Sequence, residues 1–177
     1  MGHAYTEDQL VEQPTIRLFD ELKWKTISAL DEVFGPTGTL GRETTGEVVL
    51  LPRLRAALEK LNPLLPPEAL SFAIDELVRD RSMMSLAAAN CEVYELLKEG
   101  ITVSVPDREH GGQRPERVRI IDWQNPLEND FLLVSQFSVT GPLYTRRPDL
   151  VGFINGLPVV VIEVKKDPVG PAAVKQL

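Results

Sequence analysis

Two apolar runs near the C-terminus, Leu150–Ile154 and Pro158–Lys165, are separated by little more than the pair Asn155-Gly156. Asn-Gly supplies two residues that accept positive φ, which is what a two-residue hairpin turn between twisted strands requires. The segment therefore predicts an antiparallel hairpin. Val159–Ile162 is apolar without interruption, the pattern of a strand covered on both faces. The polarity then changes at Glu163-Val164-Lys165. Side chains two apart share a face of a strand, so Glu163 and Lys165 project together. Closing the hairpin at Asn155-Gly156 pairs residue 149 approximately with 162 and brings Asp149 close to Glu163. One aspartate, one glutamate and one lysine converge at the open end.

Such a cluster suits metal-assisted hydrolysis of a phosphodiester. Two carboxylates are hard oxygen ligands for Mg²⁺, which keeps several waters and completes its shell with substrate phosphate. The metal polarises the phosphoryl oxygen and lowers the pKa of a bound water that becomes the nucleophile. A lysine alongside orients that water and offsets transition-state charge. Glu-x-Lys by itself also describes many exposed ion pairs worth under about 1 kcal/mol, and Pro148-Asp149 by itself is an ordinary turn opening. The combination is narrower: Pro-Asp, thirteen residues containing a hairpin turn, then Glu-x-Lys leaving an apolar strand.

The segment RRPDLVGFINGLPVVVIEVKK resembles the Pro-Asp…Asp/Glu-x-Lys nuclease motif as it occurs in the restriction (R) subunit of type I restriction-modification enzymes. The resemblance is strongest over 142–177 and looser over 1–35. It implies Asp149 and Glu163 as Mg²⁺ ligands and Lys165 as the catalytic lysine. It also implies a Gln-x-x-x-Tyr element on a following helix, with Gln176 as its first member, and an accompanying acid on the first helix, Glu7 or Glu12. The fold implied is α/β and restriction-endonuclease-like, a mixed central sheet flanked by helices. The substrate implied is double-stranded DNA, with recognition supplied by specificity and methylation subunits and cleavage following ATP-driven translocation. The sequence contains no Gly-x-x-x-x-Gly-Lys-Ser/Thr phosphate loop, so ATP is expected to bind in a motor outside this chain. Residues 1–177 thus read as one nuclease domain, a fragment of a longer chain. Arg146 and Arg147, just ahead of the motif, are candidates for DNA phosphate contacts. Two other readings share the fold: a nuclease-like docking module without catalysis, and a nuclease from another restriction system.

The rest of the chain divides into a helical part, about 6–100, and a sheet part, about 101–177. Thr6 with Gln9 fits a capping box, and Pro14 either interrupts that helix or opens a second one carrying Ile16, Leu18, Phe19 and Leu22. Residues 35–46 (GPTGTLGRETTG) read as a loop. Helices follow near 52–61, from Pro66-Pro67-Glu68 to about Arg79 with Leu70, Ile74 and Leu77 buried, and near 84–98. The last places Leu86, Ala89, Val93 and Leu96 on one face and ends at Gly100. Ile101, Val103 and Val105 alternate as a half-buried strand does. Residues 106–117 read as a mobile hairpin loop, and 117–123 and 131–139 as two more strands.

Composition closes off other classes. A chain of 177 residues suffices for one compact domain. The formal charge is −7, a poor basis for autonomous nucleic-acid binding, although 142–177 carries five basic residues against three acidic ones. Cys91 is the only cysteine, which excludes an internal disulfide, and its neighbours Ala88 and Ala89 suggest a small core residue. His3 and His110 are the only histidines, too few for a histidine-dominated zinc site. Trp24 and Trp123 are expected to pack at a core or edge rather than stack on bases, and Asp122, Glu128 and Asp130 to sit in a solvated turn. No apolar run is long enough to span a membrane and the N-terminus lacks a secretory pattern, so a cytoplasmic domain is expected.

Overall fold

The computed structural model describes residues 11–107 and 110–164. Numbered along the chain, its helices are α1 (Gln13–Glu21), α2 (Leu51–Leu61), α3 (Pro67–Val78) and α4 (Leu86–Glu99). The strands are β1 (Lys25–Ser28), β2 (Ile101–Pro106), β3 (Gln113–Val118), β4 (Phe131–Ser135), β5 (Val139–Thr140), β6 (Thr145–Arg146), β7 (Leu150–Ile154) and β8 (Leu157–Ile162). The central sheet has the order β1-β4-β7-β8. β1 runs parallel to β4, whereas β4–β7 and β7–β8 are antiparallel. The sheet is therefore mixed and the fold α/β, as expected. β2 with β3 and β5 with β6 form separate two-stranded ribbons.

Two apolar cores form. In the first, Leu54 and Leu58 of α2 and Leu70, Ala73, Ile74 and Leu77 of α3 pack against Ile101, Val103 and Val105, the inward half of β2. Proline in the first turn of α2 and of α3 costs no helical hydrogen bond. The second core packs Leu132, Val134, Val151 and Phe153 of the sheet against Ala29, Leu40, Leu50 and Phe137. The glycine- and threonine-rich loop over this core is closed by Arg42, whose side chain is fully buried. Its guanidinium donates to both Glu32 oxygens at 2.7 and 2.5 Å, and to the carbonyls of Glu47 and Ser138 at 3.0 and 2.9 Å. It also lies 4.0 Å from the Phe137 ring centroid.

The Asn155-Gly156 turn joins the cores. Both residues have positive φ, 53° and 80°, the type I′ geometry that the pair predicts. Asn155 is completely buried. Its amide donates to Ile120 O and Asn129 Oδ1, each at 2.8 Å, and its Oδ1 accepts from the Asp130 N–H at 2.8 Å. Gly156 O accepts from Leu50 N–H, and a Cβ on Gly156 would sit 2.6 Å from Leu50 O and 2.7 Å from Leu54 N. The turn is thus docked against the start of α2 and the 120–130 loop. Asn155→Gly keeps the backbone but strips three hydrogen bonds from interior groups, and is expected to cost about 2–4 kcal/mol, measurable by urea unfolding. An unchanged midpoint would show that water replaces the side chain.

Several expectations are corrected. β1, in a stretch read as helical, escaped notice because its partner lies a hundred residues away. β3 begins at Gln113, inside the supposed loop, and ends at Val118; Ile120 and Ile121 are buried beyond it in irregular structure. β4 ends at Ser135, where Gln136 turns to φ 58°, so 131–139 is not one strand. α4 forms and stops at Gly100 (φ 77°) but buries none of its residues; Leu86 and Cys91 are exposed. Val159, Val160 and Val161 are exposed rather than covered on both faces, because among the described residues β8 is an edge strand. The acidic turn is not solvated throughout: Asp122 is buried, Asp130 is held between Lys25 and Arg53, and only Glu128 is exposed, beside Lys60. The capping box and His3 lie outside the described residues. Pro14 stands in the first turn of α1.

Candidate active site

The position of Asp149 follows from the strand on either side of β7. Leu150 pairs with Ser135 of β4 and with Ile162 of β8. One residue further on, Gln136 N–H donates to Asp149 O at 2.8 Å. The β8 pairing is not regular: Gly152 faces Val160 but Phe153 faces Pro158, so Val159 is an extra residue in a bulge. A one-residue slip exchanges the faces of a strand, and here it changes which residue meets Asp149. With the bulge, Leu150↔Ile162 is the last pair, and Asp149 and Glu163 are the next residues of the two strands, opposite each other just beyond it. The hairpin count had set 149 against 162; the bulge corrects this to 163. Gly152 permits the bulge, since a Cβ there would lie 2.6 Å from Val160 Cγ1 and 3.2 Å from the Trp24 ring. Trp24 packs over this point, 5.0 Å from both Phe19 and Phe131.

Asp149 is half-buried and its Oδ2 accepts the Val164 N–H at 2.9 Å, which fixes the carboxylate, while among the described residues no hydrogen bond or ion pair holds its other oxygen. Glu163 is exposed, and among the described residues no hydrogen bond or ion pair holds it. Two hard oxygen donors just beyond one strand pair, without a cationic partner among the described residues, fit a divalent cation that keeps part of its water shell. No group of three or more His, Cys, Asp or Glu side chains suited to a metal occurs among the described residues.

Glu12, just before α1, is buried, and the Gln136 amide lies 3.2 and 3.3 Å from its two oxygens. Glu12, Ile16, Ser28, Leu30, Ser135 and Gln136 line a groove of about 510 Å³. The structure thus connects Glu12 to Asp149 through one intermediate residue, Gln136, which sequence reasoning missed; its trace was a lone amide inside the run FLLVSQFSV. Arg146 and Arg147 are exposed, and the Arg146 guanidinium stacks 4.5 Å from the Tyr144 ring centroid. Glu7, Lys165 and Gln176 lie outside the described residues. His110 is exposed, 3.3 Å from Asp107, and Trp123 is exposed with its indole N–H on Leu97 O at 3.2 Å.

Behind the sheet, charge serves structure. Burial raises the Asp130 carboxyl, but hydrogen bonds and charge from Lys25 and Arg53, at 2.7 and 2.5 Å, outweigh it and hold the group below its ordinary value. For Asp122 the Asn125 N–H, with smaller help from Gln124 N–H and Arg119, lowers the carboxyl against the opposing effect of burial. These two acids tie β1, α2 and the 119–130 loop to the sheet.

The family model described as "Type I restriction enzyme R protein N terminus (HSDR_N)" matches residues 4–177. The chain belongs to this family. It is 32% identical over 156 residues to the "Type I restriction enzyme HindI endonuclease subunit" of Haemophilus influenzae, covering 88% of this chain and 14% of that protein. It is 30% identical over 164 residues to the "Putative type I restriction enzyme MjaIXP endonuclease subunit" of Methanocaldococcus jannaschii, covering 90% of this chain and 15% of that protein. The chain spans about one seventh of the length of these curated relatives. The mixed α/β architecture agrees with a restriction-endonuclease-like fold for this R-protein N-terminal chain. No helix among the described residues is long and apolar enough to cross a membrane.

Proposed function

We propose that this chain is the endonuclease domain of a type I restriction enzyme R subunit, hydrolysing phosphodiester bonds of double-stranded DNA with Mg²⁺. Residues 1–177 act as one nuclease domain of a longer polypeptide. ATP-driven translocation belongs to motor domains outside it, and specificity and methylation subunits supply recognition. The observation that carries the reading is the bulged register that sets Asp149 opposite Glu163, just beyond the Leu150–Ile162 pair. Family membership supports it independently.

Asp149 and Glu163 would hold the cation. What a bound Mg²⁺ supplies at such a pair is polarisation of a phosphoryl oxygen and a more acidic water. Asp149 contributes an oriented oxygen, because its other one is occupied by the Val164 N–H. Glu163 contributes an exposed carboxylate. Lys165, two residues on in sequence, orients the attacking water and offsets charge gathering on the phosphoryl oxygens. Arg146 and Arg147 bind flanking phosphates, which positions DNA without reading it. The net charge of −7 is compatible with this role when the motor and partner subunits make most phosphate contacts.

The test is Lys165→Ala in the full-length subunit, reconstituted with its partners on unmethylated plasmid bearing the target site. Linearisation should slow by about 10²-fold or more while ATP hydrolysis in the same tubes continues. Normal cutting by the variant would make the Glu163-x-Lys165 pair structural and favour a docking role.

A further inference from the structure

Gln136 has a left-handed backbone, φ 58°, which residues other than glycine, asparagine and aspartate rarely adopt. Such strain persists where the surroundings over-determine it, and it gathers near functional sites. Two contacts over-determine it here. The backbone N–H donates to Asp149 O at 2.8 Å, and the side-chain amide reaches both oxygens of Glu12. Glu12 is only 8% exposed, and among the described residues no cation pairs with it. A neutral amide orients a carboxylate drawn out of water without cancelling its charge, as a lysine or arginine in the same place would. A single residue therefore grips the backbone of one proposed ligand and the side chain of the acid beside α1.

We infer that Gln136 is a positioning residue that holds the Glu12 carboxyl group in fixed relation to Asp149 for service to the divalent cation or a water of its shell. The inference rests on the nuclease reading and adds to it the means by which α1 is connected to the cutting site. Groups that orient metal ligands in this way typically change metal affinity or activity by about 10- to 100-fold when removed.

The test uses the full-length subunit assembled with its partners, with plasmid cleavage followed across a Mg²⁺ titration. Gln136→Gly keeps the backbone conformation and the N–H to Asp149 while deleting the amide. It should cut about 10-fold more slowly and need several-fold more Mg²⁺ for half-maximal cleavage, with ATP hydrolysis unchanged. Added to Glu12→Gln, the same change should cause no further loss, because the two residues act as one unit. Losses that multiply in the double variant, a wild-type Mg²⁺ dependence, or parallel loss of ATP hydrolysis would each overturn the inference. Asp149→Asn separates the two claims. If it abolishes cutting while Gln136→Gly cuts normally, the positioning role alone falls; if it too cuts normally, the nuclease reading falls and the inference with it.

Discussion

Asp149→Asn in the full-length subunit is expected to lower the single-turnover cleavage rate by about 10²- to 10³-fold, equivalent to roughly 3–4 kcal/mol of barrier. Asparagine has nearly the same shape, and its carbonyl oxygen can still accept the Val164 N–H that Asp149 Oδ2 accepts at 2.9 Å. What disappears is the negative charge and one anionic donor. Glu163→Gln should give a loss of similar size with no change in thermal unfolding, since Glu163 is exposed and among the described residues touches no partner. Both variants should keep ATP hydrolysis. The deciding measurement is plasmid cleavage over a range of Mg²⁺ concentrations, with unfolding recorded on the same preparations. If either variant cuts at the wild-type rate with the wild-type Mg²⁺ dependence, the carboxylate pair is not the cation site.

Arg42→Leu should produce the largest loss of stability. The substitution strands the Glu32 carboxylate, whose side chain is 4% exposed, and leaves the carbonyls of Glu47 and Ser138 without their donor. Removing one member of a buried ion pair costs about 3–5 kcal/mol. For a domain of this size that corresponds to a fall of roughly 6–20 °C in melting temperature. Combining it with Glu32→Leu removes the stranded charge and should recover part of the loss, though not all, because the two carbonyls remain unpaired. A single variant that melts within a degree or two of the parent would mean that the 29–50 loop closes without its arginine.

What could be read in the sequence depended on how local each determinant was. The β7–β8 turn was legible because Asn155 and Gly156 answer a backbone demand of two adjacent residues. α2 and α3 were legible because Leu54 and Leu58, and Leu70, Ile74 and Leu77, repeat at helical spacing. Four-residue β1 offers little periodicity, and its parallel pairing of Lys25 with Leu132 is a tertiary event. β3, Gln113–Val118, carries almost no apolar alternation and exists because β2 presents an edge to it. α4 shows the converse: its spacing put Leu86, Ala89, Val93 and Leu96 on one face, yet Leu86 is exposed and the helix meets the first core through Leu96 and Leu97 near its C-terminal end. Asp149 and Glu163 were singled out as candidates from motif spacing, yet their alignment depends on Val159 in the bulge, one added residue with no mark of its own. Gly152 was the clue, and its meaning appears only once Trp24 and Val160 are seen to crowd it.

The β7–β8 hairpin is clamped at the end remote from the proposed cation ligands. Asn155 and Gly156 are wedged between the start of α2 and the 120–130 loop, while Asp149 and Glu163 stand at the other end, about 17 Å away for five extended residues. β4 braces this beam along one side. The arrangement is that of a cantilever, in which the wall decides where the tip points. Substitutions in the wall, at Leu50, Ile120, Asn129 or Asp130, can therefore spoil the aim of the carboxylates while leaving both in place. A search for cutting-deficient variants would accordingly return two groups, one at the tip and one in the wall around the Asn155-Gly156 turn, and only the second would be rescued by conditions that stiffen the fold.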